Sequence, residues 1–207
     1  MLRDSSDQTK PERALYALRK RICLADPGEA LPLHEGMLAE EFGMSRTPIR
    51  QVLQRLAYER LVEIRTGVGS VAAPMDPAHR PRDLITHQGI LRAILEHTLN
   101  KLSVSQHADI IALGALIASS EELDASLHFE IRARLLAVLG GLIADPILKD
   151  TFLAVHWRVI RWQMRDVALE ETKAFRSTQR LVRSVTSYKA RDSADLFGRV
   201  LADDLAP

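Results

Sequence analysis

The chain is expected to be mainly α, with an N-terminal winged helix-turn-helix followed by an all-α helical bundle. Three observations lead there. Residues 38–71 read as a short helix, a tight turn, a second helix and a hairpin. Residues 72–82 hold Pro74, Pro77 and Pro81, the texture of a linker. After about Asp83 the apolar residues recur at helical spacing, with no period-2 strand pattern. The expected division is a disordered tail at 1–10, the winged unit at 11–73, a linker at 74–82 and a helical unit at 83–207.

The first helix, from Pro11 to Leu24, has an apolar side of Ala14, Leu15, Ala17, Leu18 and Ile22, and Asp26-Pro27-Gly28 ends it with turn chemistry. Leu38, Ala39 and Phe42 form the next helix, which Gly43 can cap in a left-handed conformation. Ser45 is placed to N-cap the following helix, and Pro48 falls in its first turn, where a missing N–H costs nothing. Ile49, Val52, Leu53 and Leu56 turn one face of that helix inward. Arg46, Thr47, Arg50, Gln51 and Gln54 remain on or near the other. Residues 61–65 and 70–71 then read as a hairpin, with Gly67 and Gly69 allowing close backbone approach at its tip.

That outer face has the donors and acceptors that read DNA. Arginine spans guanine O6 and N7, glutamine pairs with adenine, and threonine meets phosphate or a thymine methyl. The residues cluster at a helix N-terminus, where backbone N–H groups favour a phosphate. The net charge is only +1, so the affinity must come from a local patch; Arg46, Arg50, Arg55, Arg60 and Arg65 supply one.

In the bundle, helices are expected over Ile85–Leu102, Ser105–Ala118, Leu123–Leu142, Asp145–Arg165, Glu171–Tyr188 and Ser193–Leu205. Gly140-Gly141 should weaken or bend the end of the third. Asp124 and His128 are four residues apart, so one carboxylate and one imidazole share a patch. Arg132, Arg134, Arg158, Arg161 and Arg165 offer planar forks for a carboxylate or phosphate.

The run Leu38-Ala39-Glu40, Gly43-Met44-Ser45-Arg46-Thr47-Pro48-Ile49-Arg50, Leu53-Gln54-Arg55-Leu56 and Leu61-Val62 resembles the N-terminal domain of the GntR family of bacterial transcription regulators. The resemblance covers roughly residues 11–73. Two positions depart from it. Gly36 stands where several relatives carry a DNA-contacting Arg, and Arg60 replaces the glycine that usually ends the recognition helix, so a different cap geometry is expected. Arg92-Ala93-Ile94-Leu95-Glu96, Asp124-Ala125-Ser126-Leu127-His128 and Asp145-Pro146-Ile147-Leu148 resemble the FadR-type effector domain, often called FCD.

The resemblance implies a DNA-binding transcription regulator that acts as a homodimer on a palindromic double-stranded operator, under the control of a small carboxylate effector. It implies DNA contacts from Ser45, Arg46, Thr47, Arg50, Gln51, Gln54, Gly67 and Gly69. Effector contacts are expected from Arg92, Arg132, Arg158, Arg161, Arg165 and Gln179. Metal-binding relatives add two histidines from the last helices to the Asp–His pair. Here Gln179 and Asp203 or Asp204 stand at about those positions, and Gln is a poor zinc ligand. Three readings stay open: an altered divalent-metal site on Asp124, His128 and Asp203, with His156 as a substitute ligand; a metal-free pocket; and a surface Asp–His pair.

Two other functions remain to be weighed: a helical metal- or partner-binding protein with degenerate DNA reading, and a metal-dependent hydrolase. No phosphate loop or nucleophile elbow supports the second. Cys23 is the sole cysteine, so no disulfide forms within the chain. The N-terminus lacks the apolar core of a signal peptide and no apolar run suits a membrane span, so a soluble cytoplasmic protein is expected.

Overall fold

The computed structural model of the 207-residue chain describes residues 9–26, 30–65, 69–120, 124–187 and 192–204. Residues 1–8 of the expected tail, the Pro27-Gly28 turn and Gly67 at the hairpin tip lie outside these. The described residues form two compact units, one reaching His79 and the other starting at Arg80.

In the first unit, α1 (Lys10–Leu24) opens with a reciprocal cap: Thr9 accepts from the Glu12 N–H while the Glu12 carboxylate accepts from the Thr9 N–H. Ala14, Leu18 and Ile22 bury one stripe of α1 against α3. β1 (Pro32–Leu33) precedes α2 (Glu35–Glu41) and α3 (Arg46–Tyr58). The turn between α2 and α3 is a Schellman motif. Gly43 has φ +58°, its N–H donates to Glu40 and the Met44 N–H donates to Ala39.

The end of α3 repeats that geometry with an arginine. Arg60 has φ +58°, its N–H donates to Ala57 and the Leu61 N–H donates to Leu56. The expectation of a different cap therefore fails: the backbone keeps the glycine conformation and Arg60 absorbs the strain. β2 (Val62–Arg65) and β3 (Gly69–Ala72) pair antiparallel, and β1 adds to β3, giving the order β1-β3-β2.

The second unit holds six helices among the described residues. These are α4 (Arg80–Leu95), α5 (Val104–Ala118), α6 (Ala125–Leu142), α7 (Pro146–Leu169), α8 (Glu171–Thr186) and α9 (Ser193–Asp204). α7 packs against α4, α6 and α8, while α9 closes on α4 and α8. Its core includes Leu91, Ile94, Phe129, Leu135, Leu139, Phe152, Ile160, Leu181, Leu196 and Phe197, all buried. Each such side chain contributes about 1.5–3 kcal/mol when removed from water.

α4 differs from the sequence expectation at both ends. α4 begins at Arg80, inside the proline-rich stretch, because Pro81 fits the first turn of a helix. It ends at Leu95 rather than Leu102, because the chain leaves the helix to be pinned elsewhere. Leu99 forms an antiparallel bridge with Ile143, the Asn100 N–H donates to Leu142, and the Ser193 hydroxyl donates to the Asn100 carbonyl. α6 ends at Leu142, where the spacing predicts, with Gly140-Gly141 inside its last turn. The absence of a side chain at Gly140 serves packing, since a Cβ there would meet Leu153 at 3.0 Å.

Candidate nucleic-acid interface and the bundle interior

α3 is split lengthwise by burial. Ile49, Val52, Leu53 and Leu56 are buried, whereas Ser45, Arg46, Thr47, Arg50, Gln51 and Gln54 are exposed. The structure thus gathers six of the eight expected DNA-contact residues along one edge and end of a single helix. Ser45 holds the N-cap position, but its side chain makes no cap hydrogen bond. Pro48 explains part of this: the third helical residue, the usual partner of a capping hydroxyl, has no N–H. Gly69, at the start of β3, has φ +98°, a conformation that favours glycine, and pairs with Arg65 across the hairpin.

Two arginines converge near the start of α2. Arg50 donates Nε and Nη2 to Oε1 and Oε2 of Glu35 at 3.1 and 3.0 Å. These bonds hold the Glu35 carboxyl below the usual carboxylate range and raise the Arg50 guanidinium, while Arg46 adds positive charge beside Glu35. The Arg46 Nη2 lies 3.6 Å from where a Cβ on Gly36 would stand. Arg46 therefore reaches back over the position at which relatives are expected to carry their arginine. Sequence reading missed Glu35 because it precedes the matching run.

A second carboxylate anchors this unit. Glu59, fully buried at the end of α3, accepts from Arg19 Nε at 2.9 Å and from Arg55 Nε at 3.0 Å. Arg55 is thus a scaffold residue that ties α3 to α1, rather than part of the outer face.

The arginines expected in the effector site are dispersed. Arg92 is exposed on α4. Arg158 pairs with the buried carboxylate of Asp83, which also accepts from Trp162 Nε1 at 3.0 Å. Arg165 stacks over the Trp162 ring at 5.9 Å. Of these arginines, Arg132 and Arg161 reach the bundle interior, at 5% and 8% exposure. Arg132 Nη2 donates to the Thr178 hydroxyl at 3.1 Å, and that oxygen lies 3.0 Å from His128 Nε2. On α8 the buried positions are Ala174, Thr178, Leu181, Val182 and Val185, so the helical phase turns Thr178 inward and leaves Gln179 half-buried at its flank.

The expected metal ligands do not gather. Asp124 is the N-cap of α6 and accepts from the Leu127 N–H at 2.6 Å, while His128 points into the bundle. Asp203 accepts from Arg180 Nε at 2.9 Å. Among the described residues no three of His, Cys, Asp and Glu are grouped to hold a metal ion. The electrostatics also disfavour one. Burial, and then the charge of Arg132, push His128 down to about 3, which keeps the imidazole in its neutral, ligating form, but the neighbouring Arg132 guanidinium repels a dication. His156, 2.7 Å from His87, is likewise pushed well down, by burial and then by His87 and Arg132. A divalent metal on Asp124, His128 and Asp203 does not fit this donor set.

No described helix is long and apolar enough to cross a membrane. Residues 12–71 match the family model for bacterial regulatory proteins of the gntR family. A transcriptional regulator of helix-turn-helix type from an unstable DNA locus of Streptomyces ambofaciens is 30% identical over 118 residues. That is 57% of this chain but only 41% of the relative, so the chain spans about two-fifths of that protein. The galactonate operon transcriptional repressor of Escherichia coli is 27% identical over 169 residues, covering 70% of this chain and 72% of that one. Among solved structures, E. coli McbR/YncC is similar with a TM-score of 0.62 at 16% identity, covering 95% of this chain and 94% of that one, a likeness of fold. The family and these two relatives are regulators by name. The winged helix-turn-helix unit, from residue 12 to residue 71, is thus similar to the bacterial regulatory proteins of the gntR family.

Proposed function

We propose that the protein is a ligand-responsive transcription regulator that binds a palindromic double-stranded operator as a homodimer. The observation that carries this reading is the exposed edge of α3, where Arg46, Thr47, Arg50, Gln51 and Gln54 stand clear of a buried opposite face. A helix of this kind enters the major groove by its N-terminal end. Two copies related by a two-fold axis would read two half-sites and double the contacts.

The effector is a small organic acid bound in the helical unit. Support comes from Arg132 and Arg161, two guanidinium groups carried into the bundle interior, and from a relative named for repression of a galactonate operon. Sugar acids are therefore the first compounds to screen. Binding of acid and of operator are linked, so each changes the other's affinity by the same factor. The test is a gel shift on DNA from upstream of the chain's own coding region and its neighbours, with and without galactonate. A retarded band that Arg50→Ala abolishes and a sugar acid shifts supports the reading. Failure of the parent protein on every fragment would favour a helical partner-binding protein instead.

A further inference from the structure

We propose that the outer face of α4 is a self-complementary docking surface for a second copy of this chain, the two helices crossing antiparallel at Gly89. The inference rests on the homodimer reading above and names the surface that would make it.

The exposed residues of α4 and the turn that ends it include Arg82, Ile85, Thr86, Gly89, Arg92, Ala93 and Glu96. Arg82, Ile85, Gly89, Arg92 and Glu96 alternate spacings of three and four, with Thr86 and Ala93 beside them, the pattern of a helix that packs along one seam against another helix. Ile85 is 67% exposed, a large apolar side chain placed in water on that seam. Gly89 sits mid-helix, where glycine is the poorest former after proline, and a Cβ there would meet nothing within 4 Å. Packing inside this chain does not require that glycine. A close crossing by another helix would.

The order of residues about Gly89 identifies the partner. Arg82 and Glu96 lie equally far from Gly89 on opposite sides, as do Ile85 and Ala93, and Thr86 and Arg92. When a second α4 is laid antiparallel with glycine on glycine, Arg82 meets the partner's Glu96 and Ile85 meets the partner's Ala93. The two-fold axis repeats each pair. Charge opposes charge at both ends and apolar meets apolar inside them, as an isologous interface needs. A parallel crossing would instead set Arg82 against the partner's Arg82.

The experiment is sedimentation equilibrium of the full chain and of four variants: Arg82→Glu, Glu96→Arg, the double exchange, and Gly89→Leu. All three positions changed are exposed, and far-UV circular dichroism checks that the helices persist. Each charge reversal should raise the dimer dissociation constant about tenfold or more, and the double exchange should restore most of it. Gly89→Leu should favour the helix yet weaken the dimer, a combination that a loss of folding would not give. A parent dimer indifferent to Gly89→Leu and to both reversals overturns this surface while leaving the homodimer reading intact. Single effects without rescue in the double exchange overturn the antiparallel register. A parent protein that is monomeric throughout overturns the homodimer reading itself.

Discussion

Arg50 and Glu35 form a two-pronged ion pair that joins the outer edge of α3 to the start of α2, at 3.1 and 3.0 Å. The arginine expected to read a base is therefore held by a carboxylate that lies beside the proposed DNA path. Both side chains are partly or largely exposed, so the pair itself adds little to stability. Its effect should fall on DNA binding. Glu35→Gln removes a charge that repels phosphate and frees the fork, so non-specific DNA affinity should rise several-fold, most clearly at low salt. Fluorescence anisotropy with a labelled duplex at two salt concentrations measures this. A fall in affinity would mean instead that Glu35 serves to aim Arg50.

Arg46→Ala should weaken specific DNA binding by about 1–3 kcal/mol if its guanidinium meets a base edge bidentately. Arg55→Ala differs in kind, since Arg55 supports Glu59. Thermal melting and a titration with duplex DNA separate the two. Arg46→Ala should keep the parental melting temperature, whereas Arg55→Ala should lower it.

Arg60 bears a conformation better suited to glycine, with φ +58° at the end of α3. An L-residue there costs about 1–2 kcal/mol, which the greater chain entropy of an unfolded glycine offsets in part. Arg60→Gly should therefore stabilise the winged unit by roughly 0.5–1 kcal/mol. Urea unfolding followed by circular dichroism reads the change, and a destabilised variant would contradict the account of this cap.

The buried histidines make stability depend on pH with a definite sign. His128 is held down to about 3, chiefly by burial and then by Arg132, and His156 is depressed by burial, His87 and Arg132. Between the unfolded value near 6.5 and the depressed folded value, the unfolded chain binds protons that the folded chain does not. Stability is full above about pH 6.5 and falls as pH drops through that window, by up to about 1.4 kcal/mol per unit for each histidine. Urea midpoints at pH 7.5 and 5.5 test this, and His128→Gln should flatten the dependence.

The winged unit was legible because its signals are local. Gly43, Ser45 and Pro48 mark a turn and a helix start by their own backbone chemistry, and the apolar period of α3 sets which side faces out. The reach of Arg46 over Gly36 and the Arg50–Glu35 pair were not legible, since they depend on how α2 and α3 cross. In the bundle, helix positions followed from periodicity, but α4 stops at Leu95 because Leu99 and Asn100 bond to the end of α6. The metal reading relied on Asp124 and His128 sharing a patch. One residue of helix phase at the N-cap gave the carboxylate to the Leu127 N–H and the imidazole to Thr178. Thr178 itself was readable, one place before Gln179, from the inward phase of α8.

The central claim is that the exposed edge of α3 reads DNA. Selection from a random duplex pool tests it whatever the operator sequence. The parent protein should enrich an inverted repeat, and a variant combining Arg46→Ala with Arg50→Ala should enrich nothing. Enrichment of the same repeat by that variant, or no enrichment by the parent, would contradict the account.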